Sequence, residues 1–131
     1  MRRERHTDLE ENIMPIIDHA GVSWAPAMER VRERYLASAA QGSQSLTIKE
    51  VEISPGWENR VHTHPVDVSI QVMSGAIQAL VGEEVRTVRA GATLLIPPGV
   101  PHQLLNHLWT PATVLVTYPS VELETDNLDY P

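Results

Sequence analysis

Between residues 55 and 118 apolar residues recur in short runs that alternate with polar ones, and turn residues separate the runs. The pattern predicts strands at about 60–65, 67–73, 76–81, 85–88, 93–96, 102–107 and 112–118. Turn signals stand between them at Ser74-Gly75, Gly82-Glu83, Ala90-Gly91 and Pro97-Pro98-Gly99. Short strands of regular spacing predict a sandwich or a barrel. Upstream, Leu46, Ile48, Val51 and Ile53 alternate with polar neighbours, apart from one slip near Lys49–Glu50, and predict a strand at about 45–53. Two patterns compete over 26–39. Pro26, Ala27, Met28, Val31, Tyr35 and Leu36 fit an amphipathic helix. The same stretch also fits a hairpin, with a strand at about 31–39 and a turn at Gln41-Gly42-Ser43. The hairpin is preferred, because local propensity is a weak guide.

The ends read differently from the middle. Thr7-Asp-Leu-Glu10 has the form of a capping box, and Ile13, Ile16 and Ile17 could line one face of a short helix that is interrupted or restarted at Pro15. Residues 1–22 are therefore read as an N-terminal extension with helical character, 23–118 as the β domain, and 119–131 as a tail. The tail carries four acidic and no basic side chains and is expected to be solvated.

Composition narrows the function classes. A chain of 131 residues makes one domain with a real core. It has no cysteine, so disulfides and thiolate metal sites are excluded. A net charge of −7 opposes binding to a phosphate backbone. The basic start lacks an apolar stretch behind it, and runs such as Leu94-Leu95-Ile96 are too short to span a bilayer, so a cytoplasmic location without membrane or nucleic-acid partners is expected. No glycine-rich phosphate loop or nucleophile elbow is present.

The chemistry concentrates in Gly56-Trp-Glu-Asn-Arg-Val-His62-Thr-His64-Pro. Two residues apart on a strand, His62 and His64 share one face and offer half of a metal site. Farther on, Gly91 to Asn106 reads as a turn, an apolar strand, a Pro/Gly turn and a strand opening on His102. Here the chain resembles the cupins, whose two motifs are G(X)5HXH(X)3,4E(X)6G and G(X)5PXG(X)2H(X)3N. Gly91, Pro97, Gly99, His102 and Asn106 match every specified position of the second motif, at 91–106. Gly56, His62, His64 and Gly75 match the first, at 56–75, but Val68 stands where the family has glutamate. The resemblance implies an all-β double-stranded β-helix, the jelly-roll barrel. It also implies a three-histidine variant of the family's metal site, with His62, His64 and His102 as ligands.

Asp67 and Gln71 are the side chains near the missing glutamate, but Asp67 is one residue off and strand parity turns Gln71 to the other face; Gln71 could still hydrogen-bond a substrate or a ligand histidine, or stand exposed at an edge. Arg60 shares the parity of His62 and could clamp an anionic substrate. Asn106 is read as satisfying backbone groups at the barrel floor, His107 as a surface residue, and Trp57, Trp109 and Tyr118 as packing residues. His6 and His19 have no ligand spacing. Neutral imidazoles leave the full charge on a divalent ion, and this favours a small chelating anion such as an enolate. Three-histidine cupins include Fe(II) dioxygenases acting on thiols and β-dicarbonyls, so the resemblance implies a mononuclear Fe(II)-type dioxygenase, with Ni, Mn, Co or Zn as alternative ions. The alternatives are a metal-dependent isomerase or lyase, and a small-molecule-binding barrel without catalysis. A homodimer packed through its sheets is expected.

Overall fold

The structure is a computed structural model, and it describes residues 14–128. The predicted capping box, Ile13 and His6 lie outside that range.

Two antiparallel sheets face each other. The first runs in the order β1 (Ala25–Met28), β2 (Val31–Ala37), β3 (Thr47–Ile53), β11 (Ala112–Tyr118), β6 (Val68–Ser74) and β9 (Thr93–Ile96). The second has the order β12 (Asp126–Asn127), β5 (His62–Thr63), β10 (His102–Asn106), β7 (Ala76–Val81) and β8 (Glu84–Arg89), with the short β4 (Trp57–Glu58) also pairing with β10. Neighbours in space such as β3 and β11 lie far apart in sequence, which is the jelly-roll arrangement. No helix among the described residues is long and apolar enough to cross a membrane.

The region of the competing patterns forms the hairpin, not the helix. β1 and β2 reverse through Glu29-Arg30, with Arg30 left-handed at φ 71°, and β2 pairs along β3 from Val31↔Ile53 to Ala37↔Ile48. Val31 and Tyr35, four residues apart, share a strand face by ordinary alternation, and Leu36 is buried at the bulge between Tyr35 and Ala37, which together give the helical spacing. Ahead of the hairpin, residues 14–22 form no α-helix; they are extended up to one 3₁₀ turn at His19–Gly21, and Ile16 is exposed. This segment is tied to the outer face of β2, where Arg34 donates to the carbonyls of His19 and Val22 and the Trp24 ring lies under Arg32 and Arg34 at 4.5 and 4.7 Å.

Strand alternation builds the interior. From the first sheet Val51, Ile53, Val68, Ile70, Val72, Ile96, Val114 and Val116 point inward; Ile77, Ala79 and Leu104 answer from the second. Burying each Ile or Leu side chain stabilises the fold by roughly 1.5–3 kcal/mol. Asn106 is fully buried. Its amide donates to the carbonyls of Ile53 and Thr110, and its Oδ1 accepts from the Leu108 amide, so one side chain satisfies three main-chain groups at the end of the barrel. Tyr118 is buried and Trp57 packs against the core, but Trp109 does not: it is 96% exposed in the loop between β10 and β11. Asn106, through its three main-chain hydrogen bonds, satisfies this end instead of an aromatic ring.

Gly75 turns β6 into β7 with φ 72°, and a Cβ there would lie 2.5 Å from the Pro111 carbonyl oxygen. Gly75→Ala is expected to lower stability by about 2 kcal/mol or more in urea denaturation, whereas an alanine at Gly21, where neither φ nor space is restrictive, should cost little.

Candidate metal centre

The second sheet positions three imidazoles. His102 opens β10 and pairs directly with His62 on β5, so their side chains emerge side by side on the inner face. His64 follows two residues later on the same face, and its carbonyl is held by the Gly99 amide at 2.9 Å. The turn Pro97-Pro98-Gly99 thus ties the two histidine-bearing segments together. Ring centroids lie 4.2 Å apart for His62 and His102, 4.7 Å for His62 and His64, and 5.1 Å for His64 and His102. All three are buried.

Each ring is oriented by a main-chain carbonyl. Nδ1–H of His62 donates to the Arg60 carbonyl at 2.6 Å, that of His64 to the Glu124 carbonyl at 2.9 Å, and that of His102 to the Val100 carbonyl at 2.9 Å. A carbonyl can only accept, so each Nδ1 carries a proton, and each ring in its neutral form keeps the lone pair on Nε2. One donor atom from each ring falls within 4.8 Å of the others. Burial pushes the basicity of His102 down, from an ordinary 6.5 to about 4, with the neighbouring His62 and His64 acting the same way against the Val100 hydrogen bond. Burial also lowers His64, opposed by its bond to the Glu124 carbonyl. Buried rings with capped Nδ1 and lone pairs on Nε2 are a donor set for a cation, and the three-histidine group could hold a metal ion.

The Cupin_2 family pattern, described as a cupin domain, matches residues 49–118. The chain belongs to the cupin family. The cupin fold here is similar to that of the polyketide cyclase RemF from Streptomyces resistomycificus, with TM-score 0.78 and 22% identity over 90% of this chain and 87% of that one. A sugar phosphate isomerase of the cupin superfamily from Silicibacter pomeroyi gives 0.75 and 22% over 88% and 83%. An oxalate oxidase gives 0.63 and 25% over 76% of this chain and 55% of its own. A search of curated proteins returns no match.

The histidines open onto a cavity of about 540 Å³ between the sheets. Its opposite wall is apolar, with Val51, Ile53, Ile70, Val114 and Val116. Val68 belongs to the same lining and is almost fully buried, so the position where the motif has glutamate does face the site. Arg60 lines the cavity rim. Asp67 and Gln71 do not line it, and both are exposed. Asp67 sits in the turn before β6, and Gln71 is out of phase with Val68 and Ile70, so neither reaches the histidines. His107 is at the surface, paired with Glu58 at 3.0 Å, and His19 is exposed.

Two parts of the site were not foreseen. The segment expected as a solvated tail returns to the second sheet. β12 pairs Asn127 with His62 and Asp126 with Thr63, Leu123 packs on the core, and Leu123, Thr125 and Asn127 line the cavity. The acidic side chains of Glu122, Glu124 and Asp126 are exposed while the backbone of this segment caps His64, and only the apolar Leu123 hinted at this. The second part is Glu33 and Lys49, which also line the cavity. The break in alternation near Lys49 marked it: Lys49 is in phase with the inward Val51 and Ile53.

Two outcomes follow from this geometry. The metal-free protein should lose stability as pH falls from about 6.5 towards about 4. In that window the unfolded chain takes up a proton at His102 that the folded chain refuses, and urea denaturation across the range should show the slope flattened in His102→Asn. Ending the chain at Tyr118 removes the Glu124 carbonyl and should weaken zinc binding about 10–100-fold in chelator competition. Glu124→Ala should not weaken it, because the acceptor is main chain.

Proposed function

We propose that His62, His64 and His102 bind one divalent transition metal ion through Nε2, and that this cupin is a metal-dependent enzyme for a small chelating substrate of the β-dicarbonyl type. One observation carries the reading: three uncharged donors converge on an apolar cavity, and among the described residues no carboxylate joins them within 4.8 Å. A bound ion would supply Lewis-acid polarisation and an undiminished +2 charge for an enolate. The residues of the chain do the rest. The carbonyls of Arg60, Val100 and Glu124 hold the rings in one tautomer. The Val and Ile wall excludes water and accommodates an apolar substrate body. Arg60 is the candidate to contact a substrate oxygen at the rim.

Within this class the finer reading is a dioxygenase that takes Fe(II) and uses dioxygen as co-substrate, with the cavity volume leaving space for both substrates. A second reading, an isomerase or lyase that needs no oxygen, is favoured by the charged Glu33–Lys49 pair facing the same cavity. The likeness to a polyketide cyclase and a sugar phosphate isomerase is compatible with it.

Elemental analysis is the first test. Close to one ion per chain is expected in the wild type, with at least ~100-fold weaker binding in His102→Ala; unchanged metal content in that variant would refute the ligand assignment. Oxygen uptake by the iron-loaded protein with β-diketones and thiols then separates the two readings. Val68→Glu sets a carboxylate on the cavity wall. It should keep the metal and weaken binding of an anionic chelator such as acetylacetone by ~10-fold or more.

A further inference from the structure

Four charged side chains line the cavity besides the histidines: Glu33, Lys49, Glu58 and Arg60. Glu58 turns to His107 at the surface, and Arg60 stands at the exposed rim. Glu33 and Lys49 differ. Lys49 Nζ lies 3.1 Å from Glu33 Oε1, and the two side chains are only 22% and 21% exposed. They sit on adjacent strands, in phase with Val31 on β2 and with Val51 and Ile53 on β3, so they share the inner face of the first sheet, across the cavity from the second. Tyr35 extends the group, its hydroxyl donating to the other carboxylate oxygen at 3.5 Å. Burial pushes the pKa of the Tyr35 hydroxyl up, so the hydroxyl keeps its proton.

Stability does not account for the pair. An ion pair of this kind contributes about 0–1 kcal/mol, and an apolar pair of similar volume would serve the core as well. The surrounding face is valine and isoleucine, and the same strands keep their other ion pairs, Arg32–Glu52 and Arg34–Glu50, on the outer face.

We propose that Glu33 is the general base of this site and that Lys49 and Tyr35 position it. The inference rests on the metal-centre reading and adds to it the class of reaction: removal of an acidic C–H proton next to a carbonyl. In the step, the substrate C–H bond breaks, its electron pair moves into the carbonyl to give the enolate, and the proton goes to a Glu33 carboxylate oxygen. Lys49 stays paired with Glu33, holds its carboxylate in place before the step and offsets the charge in the cavity. The substrate class is a 1,3-dicarbonyl or a related carbon acid whose oxygens face the histidines and whose acidic carbon faces β2.

The test uses the zinc-loaded full chain and acetylacetone, without oxygen. Three quantities are measured for the wild type, Glu33→Gln, Glu33→Asp and Lys49→Met: zinc per chain, acetylacetone affinity by calorimetry, and the rate at which the central C–H exchanges with deuterium in D2O by NMR. Zinc content is expected to be equal in all four. Glu33→Gln should bind acetylacetone at least as tightly as the wild type, because a negative charge beside the enolate is gone, yet exchange at least ~100-fold more slowly. Glu33→Asp should recover part of the rate, and Lys49→Met should fall between. Misfolding would lower zinc content and affinity together, so the opposite movement of affinity and rate is diagnostic. An exchange rate in Glu33→Gln within a few-fold of the wild type overturns the role of Glu33 and leaves the metal centre standing. A wild type that takes up no zinc, or that binds acetylacetone equally with and without zinc, overturns the metal-centre reading itself.

Discussion

The site depends on three hydrogen bonds from imidazole Nδ1 to main-chain carbonyls. Each is modest in energy, about 1 kcal/mol net. Their consequence lies in direction: a ring whose Nδ1 must donate can present only an Nε2 lone pair to the cavity. The carbonyls come from three separate places, namely the loop before β5, the turn before β10 and the returning C-terminal segment. The histidine cluster is therefore built by the way the barrel closes as well as by the histidines themselves. Burial then removes water as a competing partner and disfavours the protonated forms of His64 and His102. Without a cation, lone pairs directed at one another in a buried cluster are unfavourable, which is why the arrangement fits a metal.

The barrel divides the labour between its walls. The second sheet presents imidazoles, the first presents Val and Ile together with one ion pair, and the cavity lies between. An apolar wall lowers the local dielectric and strengthens the charges that remain. Among the described residues no carboxylate joins the histidine cluster, and one lies across the cavity. In the proposed chemistry the negative charge that the family motif sets beside the metal is left for the substrate, and a separate carboxylate is free to move a proton.

Much of this was legible in the chain. Period-two alternation and glycine-bearing turns marked the strands from 60 to 118, and the histidine spacing with Pro97, Gly99 and Asn106 marked the family. Asn106 was readable because a polar residue on a buried strand face must satisfy main-chain groups. Trp109 misled because aromatic residues usually pack, and nothing local says that the loop between β10 and β11 leaves this one exposed. The helical spacing over 26–39 competed with the hairpin because alternate positions four residues apart on a strand also match the spacing of a helix face, and the strand pairing decided for the hairpin.

What the sequence by itself determined is the type of the strands from 45 to 118 and the identity of the candidate metal ligands, since both follow from short-range periodicity and from residue chemistry. What only the tertiary structure decided is which groups meet. Glu33 and Lys49 are 16 residues apart, and they become partners through the β2–β3 register. His64 and Glu124 are 60 apart, and they meet because the acidic segment has apolar Leu123 to bury and an open edge of β5 to pair with. Long-range pairing is set by how two sheets close around a shared core, and no local pattern encodes that distance.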